Sequence, residues 1–302
     1  MESTQLLILG TGPAGTSAAI YAGRAGMKTV MLGCAPKFAG DYEIDNYYGF
    51  PETISGRELQ ERGLEQAQRF GVEAVCDRVL GVHFGEKGGF VAKTESGREF
   101  SACGLVLATG VSRVRPGVSN LEEYEGKGVS YCVSCDGFFF RNRPVLVAGE
   151  GLFAANQAIE LTQFTKDVTI VLQGKKSTIT PEFMERLSAM NIEVIDAKIE
   201  TLEGEDGLER ALLSNGKTLN AHGLFIAMGQ ASGNDFAYTL GLERSGVFIK
   251  VDNEQRTNMP GIFAAGDCTG GFLQIAVAVG EGAKAAKSAI SWLKNECPKN
   301  KE

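Results

Sequence analysis

The sequence predicts an α/β chain of two Rossmann-like (three-layer ββα) nucleotide-binding domains, the second inserted into the first. Three observations point there. A strand, glycine turn, helix, strand pattern occurs twice. Each copy is closed by a distant apolar run ending in glycine. A third such run, late in the chain, has no second half of its own. The length of 302 residues suits two domains of ordinary size. Gly supplies 39 of those residues, nearly double the roughly 7% of average usage.

In chain order, Leu6-Leu7-Ile8-Leu9 reads as a strand leading into Gly10-Thr11-Gly12-Pro13-Ala14-Gly15 and then an Ala-rich helix to Ala25. Thr29–Leu32 follows as the second strand. The first two glycines permit a tight turn and close approach of a pyrophosphate. The third lets the helix pack on the sheet, and the free N–H groups at the helix start receive phosphate charge. One element departs from the pattern: Gly33 and Cys34 stand where an acidic residue usually bonds the ribose, and Asp41, Glu43 and Asp45 lie beyond it. Alternation between about Val79 and Ala102 predicts a small antiparallel sheet, and Leu105–Gly110 closes the first copy.

The second copy begins at Val145-Leu146-Val147-Ala148, turns at Gly149-Glu150-Gly151 and continues as a helix to Phe164. Val168–Leu172 is its second strand and Leu224–Gly229 its closing run. Pro and Gly near Val114–Gly117 and Gly241–Ser245 suggest the crossings. Gly261–Asp267 and a helix from about Gln274 to Leu293 then return to the first domain. The expected boundaries are 1–114 with 244–302 for the nucleotide domain and 115–243 for the inserted one.

Composition narrows the function. A net charge of −7, from 30 basic and 37 acidic residues, argues against general nucleic-acid binding. No run approaches the roughly 18 apolar residues of a membrane span. MESTQLLILG enters a strand-like run at once, so no secretory leader is expected. Seven cysteines are too few and too odd in number for a secreted disulfide scaffold, and a cytoplasmic location is expected.

Cys132-Val133-Ser134-Cys135 is the only CxxC. Structural zinc needs four ligands, and His83 and His222 stand far apart in sequence, so no metal is expected. Cys34, Cys76, Cys103, Cys268 and Cys297 are scattered and read as single core or surface thiols. The CxxC spacing favours a redox-active pair. Asp136 follows directly, placed either to exchange a proton with a dithiol or to cap a helix.

These phrases carry a resemblance that covers nearly the whole chain. Gly10–Gly15, Asp45-Asn46-Tyr47-Tyr48-Gly49-Phe50-Pro51, Ala108-Thr109-Gly110, Cys132–Cys135 with Asp136-Gly137-Phe138-Phe139, and Gly261–Asp267 with Gln274 resemble the low-molecular-weight thioredoxin reductases. The resemblance implies FAD in the first domain, a homodimer, thioredoxin as partner and an inserted domain that rotates. By position it implies cofactor contacts at Gly10, Gly12, Pro13, Ala14, Gly15, Asn46, Thr109, Gly110, Gly266, Asp267, Gln274 and Ile275. It makes Cys135 the flavin-facing sulfur, Cys132 the exchanging one and Asp136 the proton donor. The loop Pro36–Glu43 lacks the Gly-Gly-Gln phrase of that family.

The second glycine loop departs further. The family binds NADPH there, through a small polar loop and a His-Arg-Arg phrase. Here Glu150 stands between the glycines and opposes a pyrophosphate's charge, Leu152 and Phe153 occupy the helix start, where bulky apolar groups are expected to block phosphate approach, and Gln173-Gly174-Lys175-Lys176 replaces the Arg fork. The sequence is in this respect similar to ferredoxin-dependent flavin thioredoxin reductases. That likeness implies ferredoxin as electron donor, with Lys127, Arg141, Arg143, Lys166, Lys175 and Lys176 as candidates for docking an acidic partner. An NADPH-dependent thioredoxin reductase, an oxygen-using dithiol oxidase and a flavin-binding redox sensor are the competing readings.

Overall fold

A computed structural model describes residues 1–34, 36, 39, 43–86, 88–110, 116–131, 133–229 and 233–297; for Ser134, Cys135, Gly233 and Asn234 it describes the backbone alone. The chain divides into two compact units, Met1–Val111 with Ser232–Glu302, and Ser112–Ala231.

The first unit opens with β1 (Glu2–Leu9), α1 (Pro13–Arg24) and β2 (Thr29–Leu32). A short hairpin, β3 (Glu43–Ile44) and β4 (Ile54–Ser55), leads to α2 (Gly56–Arg69), whose Glu58 N–H is capped by the Ser55 hydroxyl. Then come β5 (Glu73–Val75), β6 (Val79–Phe84), β7 (Phe90–Thr94) and β8 (Glu99–Leu107). Strands β5, β2, β1 and β8 lie side by side in parallel, with Leu6, Leu7 and Ile8 fully buried. Strand β8 forks: residues 99–102 pair antiparallel with β7, while residues 105–107 pair in parallel with a strand from late in the chain. The antiparallel ladder expected between Val79 and Ala102 is therefore present as β6–β7–β8.

The second unit holds β9 (Val129–Ser130), α3 (Val133–Asp136), β10 (Val145–Ala148), α4 (Leu152–Leu161), β11 (Val168–Val171), α5 (Pro181–Ala189) and β12 (Glu193–Ile195). An antiparallel trio, β13 (Ile199–Glu203), β14 (Arg210–Leu213) and β15 (Thr218–Asn220), precedes β16 (Gly223–Ile226). The order β12-β11-β10-β16-β9 is parallel throughout, the same doubly wound logic as the first unit. The antiparallel trio covers one face, packing Ile199, Leu202 and Leu213 with Leu146, Val171 and Leu224.

The chain then returns to the first unit through α6 (Gly233–Thr239), the hairpin β17 (Arg244–Ser245) and β18 (Phe248–Ile249), β19 (Ile262–Ala264) and α7 (Ile275–Asn295). The return lies at 231/232, earlier than the expected 243/244. Gly241, at φ +64°, terminates α6: the Leu242 N–H bonds the Ala237 carbonyl and the Gly241 N–H that of Tyr238. That glycine marks a helix end. α7 crosses α1 on small residues, Ala14, Ala18 and Ala22 against Ala278, Ala285 and Ala286. At Gly282 a β-carbon would stand 2.1 Å from the Ala14 carbonyl oxygen, so only glycine allows the two backbones to meet.

Candidate functional site

In the first unit the glycine loop is set by the strand ends around it. The Gly10 N–H bonds the Leu32 carbonyl at 2.8 Å. Gly10 has φ +110°, and a β-carbon there would lie 2.1 Å from the Ala108 carbonyl oxygen. Gly15 is equally confined, its would-be β-carbon 1.9 Å from the Gly10 carbonyl oxygen. Gly12 faces open space instead, its nearest neighbour the Pro36 side chain at 3.8 Å. Gly12 caps α1 without a side-chain acceptor, and Pro13 supplies the first helical position. The first-turn N–H groups of a 12-residue helix thus face a glycine-lined opening, an arrangement suited to a phosphate group.

At the far end of β8, the Thr109 hydroxyl oxygen is buried without a partner among the described residues. Gly110 follows at φ +68°. Opposite α1, Gly266 turns at φ +78°, where a β-carbon would stand 2.8 Å from that of Ala14. Glu281 on α7 holds this turn: its Oε2 accepts from the Gly266 N–H at 2.8 Å and from the Thr269 hydroxyl at 3.3 Å. Asp267 is therefore presented from a braced turn. The Asn46 amide donates to Gln274 Oε1 at 3.1 Å, so two predicted contacts 228 residues apart meet. Pro13, Tyr47 and Ile275 line one groove, and burial raises the Tyr47 pKa. The predicted first-unit residues are thus gathered at the carboxyl ends of β1 and β8, the end at which doubly wound sheets bind ligands. A glycine-lined phosphate cradle and an orphaned buried hydroxyl fit a dinucleotide cofactor.

Cys268 lies beside Asp267 but faces inward. Burial pushes its thiol up to about 12, and it bonds the Leu107 and Ala265 carbonyls. Of the cysteines expected as single thiols, four are instead paired. Cys34 bonds Cys76, with α-carbons 4.4 Å apart, and Cys103 bonds Cys297 at 6.0 Å. The first pair arises because β2 and β5 are parallel neighbours whose ends lie together. The second arises because α7 ends beside β8.

In the second unit, Cys132 lies outside the described residues and Cys135 stands in α3. Asp136 ends that helix, and the Ser130 hydroxyl donates to its Oδ2 at 2.7 Å. The Asp136 side chain does not cap the 3₁₀ turn Gly137–Phe140 that follows. That turn is anchored by Phe140, edge-on to Phe225, and leaves Phe138 and Phe139 59% and 71% exposed. The Arg141 guanidinium lies over the Phe138 ring at 4.6 Å.

The second glycine loop keeps the close strand contact of the first but not the positive φ of Gly10. A β-carbon at Gly149 would stand 2.1 Å from the Ala227 carbonyl oxygen. The carboxylate in this loop is engaged within the unit. Glu150 Oε1 lies 3.1 Å from Lys175 Nζ, and Glu150 Oε2 accepts from the Gly229 N–H at 3.2 Å. The expectation that Phe153 obstructs the helix start is corrected: it is 4% exposed and faces the core, leaving Leu152 half-buried at that position. Gln173 is structural, bridging the Pro116 carbonyl and the Ile199 N–H. Among the described residues, no cluster of three or more His, Cys, Asp or Glu is placed to hold a metal. No helix among them is long and apolar enough to cross a membrane.

Residues 4–282 match the family model "Pyridine nucleotide-disulphide oxidoreductase". Over 96% of its length the chain is 33% identical to a thioredoxin reductase from Rickettsia conorii, covering 98% of that protein. The chain belongs to the thioredoxin reductase family. Its cofactor is FAD, as in the family's other flavoproteins. Among solved structures it is similar to the atypical thioredoxin reductase TRi from Desulfovibrio vulgaris Hildenborough, with 63% identity, TM-score 0.95, and 98% and 100% of the two chains covered. It is similar at 28% identity and TM-score 0.73 to a ferredoxin-flavin thioredoxin reductase from Clostridium acetobutylicum, covering 98% and 100%. The likeness to the atypical reductase is thus the stronger of these two, where the sequence had pointed to the ferredoxin-dependent group.

Two site residues escaped sequence reasoning. Ser130 sits six positions before Asp136 with no motif to mark it. Glu281 looked like one surface charge on an Ala-rich helix, although the glycines flanking it signalled close packing.

Proposed function

We propose that this thioredoxin reductase family member reduces thioredoxin through Cys132 and Cys135, and that its electrons come from reduced ferredoxin rather than a nicotinamide nucleotide. The observation that carries the donor reading is Glu150. Its carboxylate, placed between the loop glycines just before the α4 N-terminus, accepts from the Gly229 N–H and pairs with the Lys175 ammonium, so a negative charge already stands where a pyrophosphate would approach. A dinucleotide would have to displace a carboxylate that is 13% exposed and already paired.

FAD is proposed to sit in the first unit, held by the α1 N-terminus, Thr109, Asp267 and the Asn46–Gln274 pair. When bound, FAD supplies a two-electron store that one-electron donors can fill. Asp136, fixed by Ser130, holds the proton delivered when the Cys132–Cys135 disulfide opens. Cys132 then attacks the thioredoxin disulfide and Cys135 resolves the mixed disulfide, so that two thiols are oxidised as two are formed. Exposed Phe138 and Phe139 offer an apolar contact beside the cysteine helix. Arg141 and Arg143 flank it, and the Asn142 N–H bonds the Phe164 carbonyl, which brings Lys166 to the same edge. These three exposed cations are favoured for an acidic donor over Lys175, which is engaged by Glu150.

The test is anaerobic titration of the holoenzyme with NADPH, NADH and reduced ferredoxin in parallel, following flavin absorbance. Bleaching by ferredoxin alone is expected. Rapid bleaching by NADPH overturns the reading.

A further inference from the structure

Beyond the CxxC, the first unit carries a disulfide whose surroundings give it a role. Cys34 follows Gly33 at the end of β2, where doubly wound domains carry the residue that binds the nucleotide ribose. Its bond to Cys76 joins that position to the end of β5, and the Gly33 N–H also bonds the Val75 carbonyl at 3.1 Å. From there the connection runs directly into the glycine loop. The Thr11 hydroxyl donates to the Cys34 carbonyl at 2.7 Å, and the Thr11 carbonyl in turn accepts from Gln60 at 2.5 Å and from Thr16 at 2.9 Å. Thr11 lies between Gly10 and Gly12, so the disulfide fastens one wall of the cradle in place of an acidic side chain. The bond is also reachable: Cys76 is exposed and Cys34 half-buried.

We propose that Cys34–Cys76 is a second thiol–disulfide exchange centre, and that its redox state sets how tightly the first unit holds FAD. The reductant is a dithiol, of which reduced thioredoxin is the one the family's reaction produces. One thiolate of the dithiol attacks the exposed Cys76 sulfur. The Cys34–Cys76 bond breaks, a mixed disulfide forms at Cys76, and Cys34 leaves as a thiolate that takes a proton from water. The second thiol of the dithiol closes on its partner and frees Cys76, which is protonated likewise. Two electrons pass from the dithiol to the pair. Freed of the bond, the Cys34 segment moves, its hydrogen bond from Thr11 to the cradle is given up, and accumulated dithiol loosens the flavin. The site needs no assumption about the electron donor.

The experiment uses FAD-loaded full-length protein carrying Cys135→Ser, so that dithiol cannot reduce the flavin through the CxxC. Excess dithiothreitol, then reduced thioredoxin, is applied. Alkylation with mass spectrometry reads Cys34 and Cys76, and the fluorescence of released flavin reads FAD dissociation. The expected result is reduction of the pair in the folded protein with FAD release faster by about five-fold, the weight of one net hydrogen bond such as Thr11–Cys34. Adding Cys103→Ser and Cys297→Ser must leave this response intact. Adding Cys34→Ser and Cys76→Ser must give fast release with or without dithiol. A pair that stays bonded in the folded protein, or equal release rates in its two states, overturns the proposal.

Discussion

Replacing Glu150 by Ala tests the second loop most directly. The substitution leaves the Gly229 N–H without its carboxylate and Lys175 without its partner. A hydrogen bond to a charged group contributes about 1.5–3 kcal/mol. The ion pair adds less than about 1 kcal/mol, because the Lys175 side chain is 40% exposed and screened. A loss of roughly 2 kcal/mol moves the urea midpoint down by about 1 M at a typical slope near 2 kcal/mol/M. The location of this loss is readable. The single tryptophan, Trp292, sits on α7 of the first unit, so its fluorescence follows that unit. Far-UV circular dichroism also sees the second unit, and the shift should appear there and not in the Trp292 transition. A second readout is ligand gain. A phosphate about 4 Å from a carboxylate is opposed by about 4 kcal/mol at the effective dielectric of a protein surface, so Glu150→Ala should strengthen NADPH binding by up to roughly a thousand-fold. Glu150→Gln, which keeps an acceptor for Gly229, should lose less stability. An unchanged second-unit midpoint in Glu150→Ala, together with no gain in NADPH binding by calorimetry, refutes the idea that this carboxylate closes the loop.

Cys132→Ser should abolish thioredoxin reduction while the flavin spectrum stays intact; retained turnover would show that another sulfur meets the partner. Glu281→Ala should cost the Gly266 N–H its acceptor, about 1–3 kcal/mol, and appear as FAD lost on gel filtration, with Glu281→Gln largely restoring it. Cys268 gives a pH signature. Its folded thiol ionises only near 12, whereas the unfolded thiol ionises near 9, so above pH 9 the unfolded state sheds a proton that the folded state keeps. Stability contributed by this group is complete below pH 9 and falls by about 1.4 kcal/mol per unit up to 12. The difference in urea midpoint between wild type and Cys268→Ala should slope accordingly, and a flat difference would place the thiol in contact with solvent.

Much of the fold could be read because its elements are repetitive and local. Leu6–Leu9 and Val145–Ala148 announce strands by unbroken apolar runs, and the glycines behind them announce turns into helices. The return of Gly261–Asp267 to the first unit could be inferred because a lone strand must find an edge, and β19 finds it at the fork of β8. What escaped depends on tertiary neighbours. Cys34 and Cys76 are 42 residues apart and Cys103 and Cys297 are 194 apart, so only the strand order and the end of α7 reveal them as pairs. Phe153 read as an obstacle because helix phase at a first turn is ambiguous; the buried set Phe153, Ala154 and Ala158 fixes that face inward. Glu150 was the reverse case. Its unfavourable charge stood out in the sequence, but that it would recruit Lys175 and Gly229 needed the strand register of β10 and β16.

The forked strand also imposes an order on biosynthesis. The lower half of β8 waits for β19, and α1 waits for α7, yet both partners are encoded after the whole of the second unit. At elongation rates of about 5–20 residues per second, the ribosome needs roughly 10–40 s to travel from the end of β8 to the end of α7. During that interval the Ser112–Ala231 segment, all of whose strands are consecutive, can fold while the first unit still shows an open sheet edge. The guest matures before its host, and the proposed flavin cradle is complete only once the last helix has left the tunnel.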